Sequence, residues 1–210
     1  MIMKLLPLNT RSYWIFDLDG TLTVPVHDFE FIRRELDIPG SADILGHLDT
    51  LSNAEAARRY SRLQEIEWEL ACRAVPAQGA VEAIARLHQS GAIMGILTRN
   101  DKDIALRTLE TIGMGSYFLE SNVLGRREAP PKPDPAGIHL LLSGWKAEPS
   151  EAVMVGDYLF DLQAGKAAGT ATVHVGRPDG KTWPQFTDIA VTSLADLRVS
   201  YQKTPAENSP

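Results

Sequence analysis

One cysteine, Cys72, stands among 210 residues. No intrachain disulfide can form, and a thiolate metal cluster is excluded. That usage points to a reducing compartment. Positive charge is short as well: 21 lysines and arginines face 27 acidic residues, for a formal net charge of −6. Such a balance disfavours nonspecific binding to nucleic acid or to an anionic membrane. No apolar run is long enough to span a bilayer. Met1 to Leu8 carry one lysine and too short an apolar run for a signal peptide, so a cytoplasmic protein is expected. The histidines, at 27, 47, 88, 139 and 174, show no metal-ligand spacing. Low-complexity tracts and internal repeats are missing too. The composition, 44% hydrophobic and 23% charged, suits a globular chain. The length suits one large domain, or a core with a smaller appended one.

What is present is organised around Tyr13-Trp14-Ile15-Phe16-Asp17-Leu18-Asp19-Gly20-Thr21. A continuous apolar run, read as a strand over 12–17, suits a central parallel strand covered on both faces. It ends on two aspartates spaced two apart. An Asp-Gly pair alone is a turn. Two carboxylates this close, however, repel and raise each other's pKa unless a cation or donors compensate. Further on, Asp28 starts a helix, and Pro39-Gly40 breaks it. Ser41 reads as the cap of a short helix to about His47, and Ser52 or Asn53 as the cap of a long one to about Ala74. On the long helix Ala54, Ala57, Tyr60, Leu63, Ile66 and Leu70 form one apolar stripe. This all-helical block, residues 24–76, interrupts a βα alternation.

The alternation resumes with a helix over 77–90 and a strand over 92–98. A helix capped by Asn100 or Asp101 runs to Ile112, and 117–119 is a short strand. A proline-rich loop at 130–135 feeds a helix to Ser143. A strand at 152–156, a helix at 159–168 and strands at 170–175 and 189–191 follow, and Ser193 caps a last helix. Residues 201–210 read as a disordered tail. The fold class is therefore α/β: a Rossmann-like doubly wound parallel sheet, formed by residues 1–23 and 77–200, with a small α-helical subdomain inserted at 24–76.

In such sheets the site lies at the carboxyl ends of the strands, near the switch point. The residues at those ends are chemically related. The first strand ends in Asp17 and Asp19, the second in Thr98-Arg99-Asn100, and the fourth in Gly156-Asp157 with Asp161 following; Lys132 lies in the proline loop. The four carboxylates and one ammonium carry a formal −3, and a divalent cation would reduce this to −1. Hard carboxylate oxygens without thiolate or clustered imidazole select Mg²⁺.

These residues resemble the haloacid dehalogenase superfamily. Asp17-Leu18-Asp19-Gly20-Thr21 matches its DxDGT motif, Thr98 its second motif, Lys132 its third, and Gly156-Asp157…Asp161 its GDxxxD motif. The order matches from about Trp14 to Val175, and the helical insertion is similar to the cap of phosphoglycolate-phosphatase-like and β-phosphoglucomutase-like members. The resemblance implies a Mg²⁺-dependent phosphatase acting on a small phosphorylated metabolite. Asp17 would be the nucleophile and Asp19 the general acid and base. Mg²⁺ would be held by Asp17, the Asp19 carbonyl oxygen and Asp157. Thr98 and Lys132 would bind the phosphoryl group, aided by Arg99 and Asn100 next to Thr98. Asp161 would orient a metal-bound water or Lys132, and Gly20 would mark the turn towards the cap.

An acid at position 19 argues against the dehalogenase and phosphonatase branches. A phosphomutase of the β-phosphoglucomutase type shares the same core residues. A phospho-acceptor signalling domain carries its acceptor after the third strand and has no such insertion, so it is disfavoured. His27 is not expected to face the site. The run Arg58, Arg59, Arg62 reads as a solvated helix face, and Trp183 as packing. The substrate, the specificity residues of the cap and the oligomeric state are not encoded in these motifs.

Overall fold

The first strand is pinned from both sides. In the structure, a computed structural model describing residues 11–40 and 42–197, strand β1 (Tyr13–Phe16) has Trp14, Ile15 and Phe16 fully buried. Trp14 and Phe16 face one layer, where they stack at 6.2 Å, and Ile15 faces the other. A strand with this alternation must be covered twice, and each large side chain withdrawn from water contributes about 1.5–3 kcal/mol. The expected tail at 201–210 lies outside the described residues.

From Phe16 the chain crosses to three helices, α1 (Phe29–Glu35), α2 (Ile44–Leu48) and α3 (Asn53–Cys72). Asp28 caps α1 through Phe31 N–H, as expected. The short helix starts later than Ser41 suggested, because the Asp43 carboxylate accepts from Gly46 N–H and so sets its first turn. These helices bury a core of their own, built on Ile32, Leu36, Leu48, Leu63 and Ile66. The stripe on α3 is shorter than expected: Ala54 and Ala57 are exposed, and burial begins with Leu63. Arg59 donates to the Leu36 and Asp37 carbonyls at 2.7 and 2.9 Å, and Arg62 pairs with Glu35 at 2.7 Å. The basic run therefore braces the end of α1.

The return to the sheet is paired. Val24 N–H donates to Val75 O and Ala77 N–H to Leu22 O, so the outgoing and incoming segments run side by side. This extended pairing delays the next helix, α4 (Ala80–Gln89), three residues past its expected start. Strand β2 (Ile93–Leu97), helix α5 (Lys102–Thr111), strand β3 (Val123–Leu124), helix α6 (Ala136–Trp145), strand β4 (Ala152–Gly156), helix α7 (Leu159–Ala168), strand β5 (Ala171–Val175) and strand β6 (Ile189–Val191) complete the alternation. The strand expected at 117–119 is displaced to 123–124. A 3₁₀ turn occupies Gly115–Tyr117, and the chain aligns with β2 only after Asn122 donates to Met94 O. The C-terminal helix expected from Ser193 is a single 3₁₀ turn, Leu194–Asp196.

Among the described residues the six strands are all parallel, in the order β3-β2-β1-β4-β5-β6. The connections run outward in opposite directions from β1 and β4. That is the switch point, and it puts the crevice above the carboxyl ends of these two strands. Among the described residues, no helix is long and apolar enough to cross a membrane.

Candidate active site

Asp17 follows β1 directly, and its backbone N–H bonds Val155 O at 2.9 Å, so neighbouring strand β4 sets its position. Its carboxylate is buried. Lys132 Nζ meets Asp17 Oδ1 at 2.5 Å and Asp161 Oδ1 at 2.6 Å, while Thr21 Oγ1 approaches Asp17 Oδ2 at 3.2 Å. Asp157, at the end of β4, has Thr21 Oγ1 3.3 Å from Oδ1 and pairs through Oδ2 with Arg177. Asp161 sits on the first turn of α7, where its Oδ2 accepts from Tyr158 N–H at 3.0 Å. Carboxylate oxygens of Asp17, Asp157 and Asp161 lie within 4.8 Å of one another.

This donor set fits a hard divalent cation. Three buried carboxylates face one lysine and one arginine, and burial together with mutual repulsion raises the Asp157 pKa above the ordinary carboxylate value. Burial also raises Asp161, although Lys132 opposes that rise. Lys132 itself is 3% exposed. Burial disfavours its charge, but Asp161 and Asp17 outweigh burial and hold its pKa above the usual value.

Asp19 is set apart from this cluster. Its Oδ2 accepts from Asn100 Nδ2 at 2.7 Å, and its Oδ1 lies 3.9 Å from His27 Nδ1. Desolvation, then the charge of Asp17, pushes its pKa up to about 7, with Lys132 opposing. A quarter of its side chain stays open to solvent. Two carboxylates two residues apart thus have different surroundings: one is paired to an ammonium, the other is partly desolvated beside an amide. Gly20 makes this possible. Its φ is +89°, and a Cβ there would sit 2.7 Å from Asp157 Oδ2.

The remaining expected residues divide. Thr98 is buried at the end of β2, and its Oγ1 accepts from Asn100 N–H at 3.1 Å. Asp101, rather than Asn100, is the cap residue of α5. Arg99 reaches Asp43 of the helical insertion with 2.8 Å contacts to both oxygens, and its guanidinium lies over the Phe160 ring. In this structure Arg99 therefore ties the insertion to the sheet. His27, expected to point away, faces Asp19 from the segment leading into α1. Trp183 packs edge-on against Tyr158 and His174, as expected of a packing residue.

Two groups escaped sequence reasoning. Arg177 lies just beyond β5, and the strand-end rule applied to Gly176-Arg177-Pro178 could have found it. Glu67 and Arg126 form a fork-to-fork pair at 2.9 and 2.7 Å, and Arg126 also bonds Asp101 at 3.0 Å. Their side chains are only 5–6% exposed. This ion triad clamps α3 against the sheet beside Asn100. Glu67 lies inside the apolar stripe, where an acid is out of pattern unless it is paired. A cavity of about 330 Å³ opens next to the triad, lined by Leu45, Asp49 and Tyr60 from the insertion and Arg126, Arg127 and Pro131 from the sheet side. No aspartate of the cluster lines it.

A doubly wound sheet with an acid cluster and a buried lysine at its switch point defines a class of α/β hydrolytic enzymes. Residues 14–169 match the haloacid dehalogenase-like hydrolase family, and the chain belongs to that family. A haloacid dehalogenase-like hydrolase domain-containing protein of Arabidopsis thaliana is 30% identical over 170 residues, covering 75% of this chain and 68% of its own. Pyrophosphatase PpaX of Bacillus velezensis is 39% identical over 94 residues, 45% of this chain and 43% of its own. The match thus spans under half of PpaX. Among solved structures, a predicted phosphoglycolate phosphatase from Haemophilus somnus aligns with a TM-score of 0.71 at 21% identity, covering 89% of this chain and 96% of its own. CbbY from Rhodobacter sphaeroides, in complex with phosphate, aligns at 0.70 and 17% identity over 89% and 96%. These structural likenesses concern the fold.

Proposed function

We propose that the protein is a Mg²⁺-dependent phosphatase that hydrolyses a small phosphomonoester through an aspartyl-phosphate. The observation that carries this reading is Asp17: a buried carboxylate at the switch point, with Lys132 at 2.5 Å and carboxylates of Asp157 and Asp161 around it. Asp17 attacks phosphorus in line, and the leaving oxygen takes a proton from Asp19, whose pKa about 7 suits a general acid near neutrality. Asp19 then removes a proton from the water that cleaves the acyl phosphate. Lys132 and the Thr98 hydroxyl hold phosphoryl oxygens, with Asn100 keeping Asp19 oriented. When bound, Mg²⁺ would sit on Asp17, the Asp19 carbonyl oxygen and Asp157, neutralising charge on the transferring group. Asp161 keeps Lys132 in place.

We read residues 1–23 and 77–200 as the catalytic core and 24–76 as a cap over it. The Arg99–Asp43 pair and the Glu67–Arg126 fork hold the cap down and so favour exclusion of water from the acyl phosphate. A cytoplasmic setting and a small phosphorylated metabolite as substrate fit a chain with one cysteine and a net charge of −6. The test is phosphate release with MgCl₂ from a panel of phosphomonoesters, with pyrophosphate included because PpaX is a relative. Asp17→Asn is expected to abolish turnover. Activity surviving in that variant would remove Asp17 as nucleophile, and a silent wild type on the whole panel would end the phosphatase reading.

A further inference from the structure

Arg177 stands on a strand end to which no motif assigned a role. Its Nη1 pairs with Asp157 Oδ2, while among the described residues the other Asp157 oxygen accepts only from the Thr21 hydroxyl, which is shared with Asp17. A hydroxyl has a single proton to give. The guanidinium is therefore the strong partner of Asp157. Lys132 is engaged elsewhere, on Asp17 and Asp161.

The guanidinium is also held from behind. Arg177 Nε donates to Asp179 Oδ1 at 3.1 Å, and its plane lies 5.1 Å over the Tyr158 ring. Asp179 is fixed in turn by Lys181 N–H at 3.2 Å. The Arg177 side chain is 22% exposed. It has a platform, an anchor and a route to solvent, so its own charge stays compensated when a cation takes its place on Asp157.

We propose that Arg177 is the internal counter-ion of Asp157 and competes with the divalent cation for that carboxylate. This rests on the metal assignment proposed above. The three clustered carboxylates and Lys132 carry a formal −2; Arg177 reduces it to −1, and a divalent cation added beside both would leave +1. Two cations on one carboxylate repel, so the guanidinium weakens cation binding while it keeps the cation-free site from flying apart. Arg177 thus sets an upper limit on metal affinity and makes cation exchange at this site easier.

The test is isothermal titration of MgCl₂ into the metal-stripped full chain, with no turnover involved. Arg177→Gln is expected to lower the Kd for Mg²⁺ on the order of tenfold, whereas Arg177→Lys, which keeps the charge, stays within about threefold of wild type. In thermal melts, metal-free Arg177→Gln should melt below wild type and gain more from MgCl₂. Asp179→Asn removes the carboxylate that offsets the guanidinium's charge, leaves that charge to Asp157 alone and should weaken Mg²⁺ binding about two- to threefold; it serves as the test if Arg177→Gln does not fold. An Arg177→Gln Kd equal to or weaker than wild type, or an Asp179→Asn Kd equal to or tighter, overturns the proposal. Asp157→Asn separates the two readings. If it binds Mg²⁺ like wild type, the metal assignment itself fails, and the competition proposal fails with it.

Discussion

Replacing Lys132 with methionine keeps the length of the side chain and deletes its charge. Lys132 is 3% exposed and is the ion-pair partner of both Asp17 and Asp161, at 2.5 and 2.6 Å. Removing it leaves two buried carboxylates facing Asp157 with only Arg177 nearby, and breaking a buried ion pair costs about 3–5 kcal/mol. For a chain of this size that is roughly 10 °C in melting temperature. The penalty carries a pH signature. The Asp157 and Asp161 pKa values already lie above those of an unfolded chain, so the metal-free folded state binds more protons than the unfolded one. Stability therefore falls as pH rises through the raised folded values, and it recovers on acidification towards pH 5. Without the ammonium these pKa values climb further, which steepens the slope. The Lys132→Met penalty, measured by thermal or urea unfolding of metal-free protein, should be largest near pH 8 and shrink to about 1–2 kcal/mol near pH 5.5. A penalty under about 1 kcal/mol at pH 8, or one unchanged at pH 5.5, would refute the charge-compensation argument, because cavity and packing effects do not titrate.

Asn100→Leu removes the amide that donates to Asp19 at 2.7 Å and favours its charged form. The Asp19 pKa should rise further, moving the alkaline limb of kcat/KM upward by about half to one unit; an unmoved limb in a pH–rate profile would count against Asp19 as the acid. Arg126→Met strands Glu67 in a buried setting, while Asp101 keeps Arg127 at 2.8 Å, and should cost about 3–5 kcal/mol in urea unfolding. Adding Glu67→Leu to it should recover a large part of that loss, and a purely additive double variant would mean that the fork is not energetically coupled.

Much of this protein was legible from local pattern. The continuous apolar run of β1 suited a strand covered on two faces, and Trp14, Ile15 and Phe16 are fully buried. Asp17, Asp19, Thr98, Lys132, Asp157 and Asp161 could be named because the ends of parallel strands converge, whatever the details of the loops. Helix starts with a polar cap, such as Asp28, were readable as well. Boundaries set by distant partners were not. The start of α4 is delayed by pairing with the segment around Thr23, and β3 begins where Asn122 reaches Met94, 28 residues away. The Glu67–Arg126 fork joins residues 59 apart, and Arg177 meets Asp157 across 20.

The sequence by itself determined the α/β class, the positions of the carboxylates and the need for a compensating charge, because periodicity and spacing are local properties of the chain. Which group partners which carboxylate was decided only by the tertiary structure. Lys132 goes to Asp17 and Asp161, Arg177 to Asp157, Asn100 to Asp19, and Arg99 leaves the crevice for Asp43. Electrostatic pairing depends on distances of a few ångströms and on burial, and neither exists until the strands are side by side.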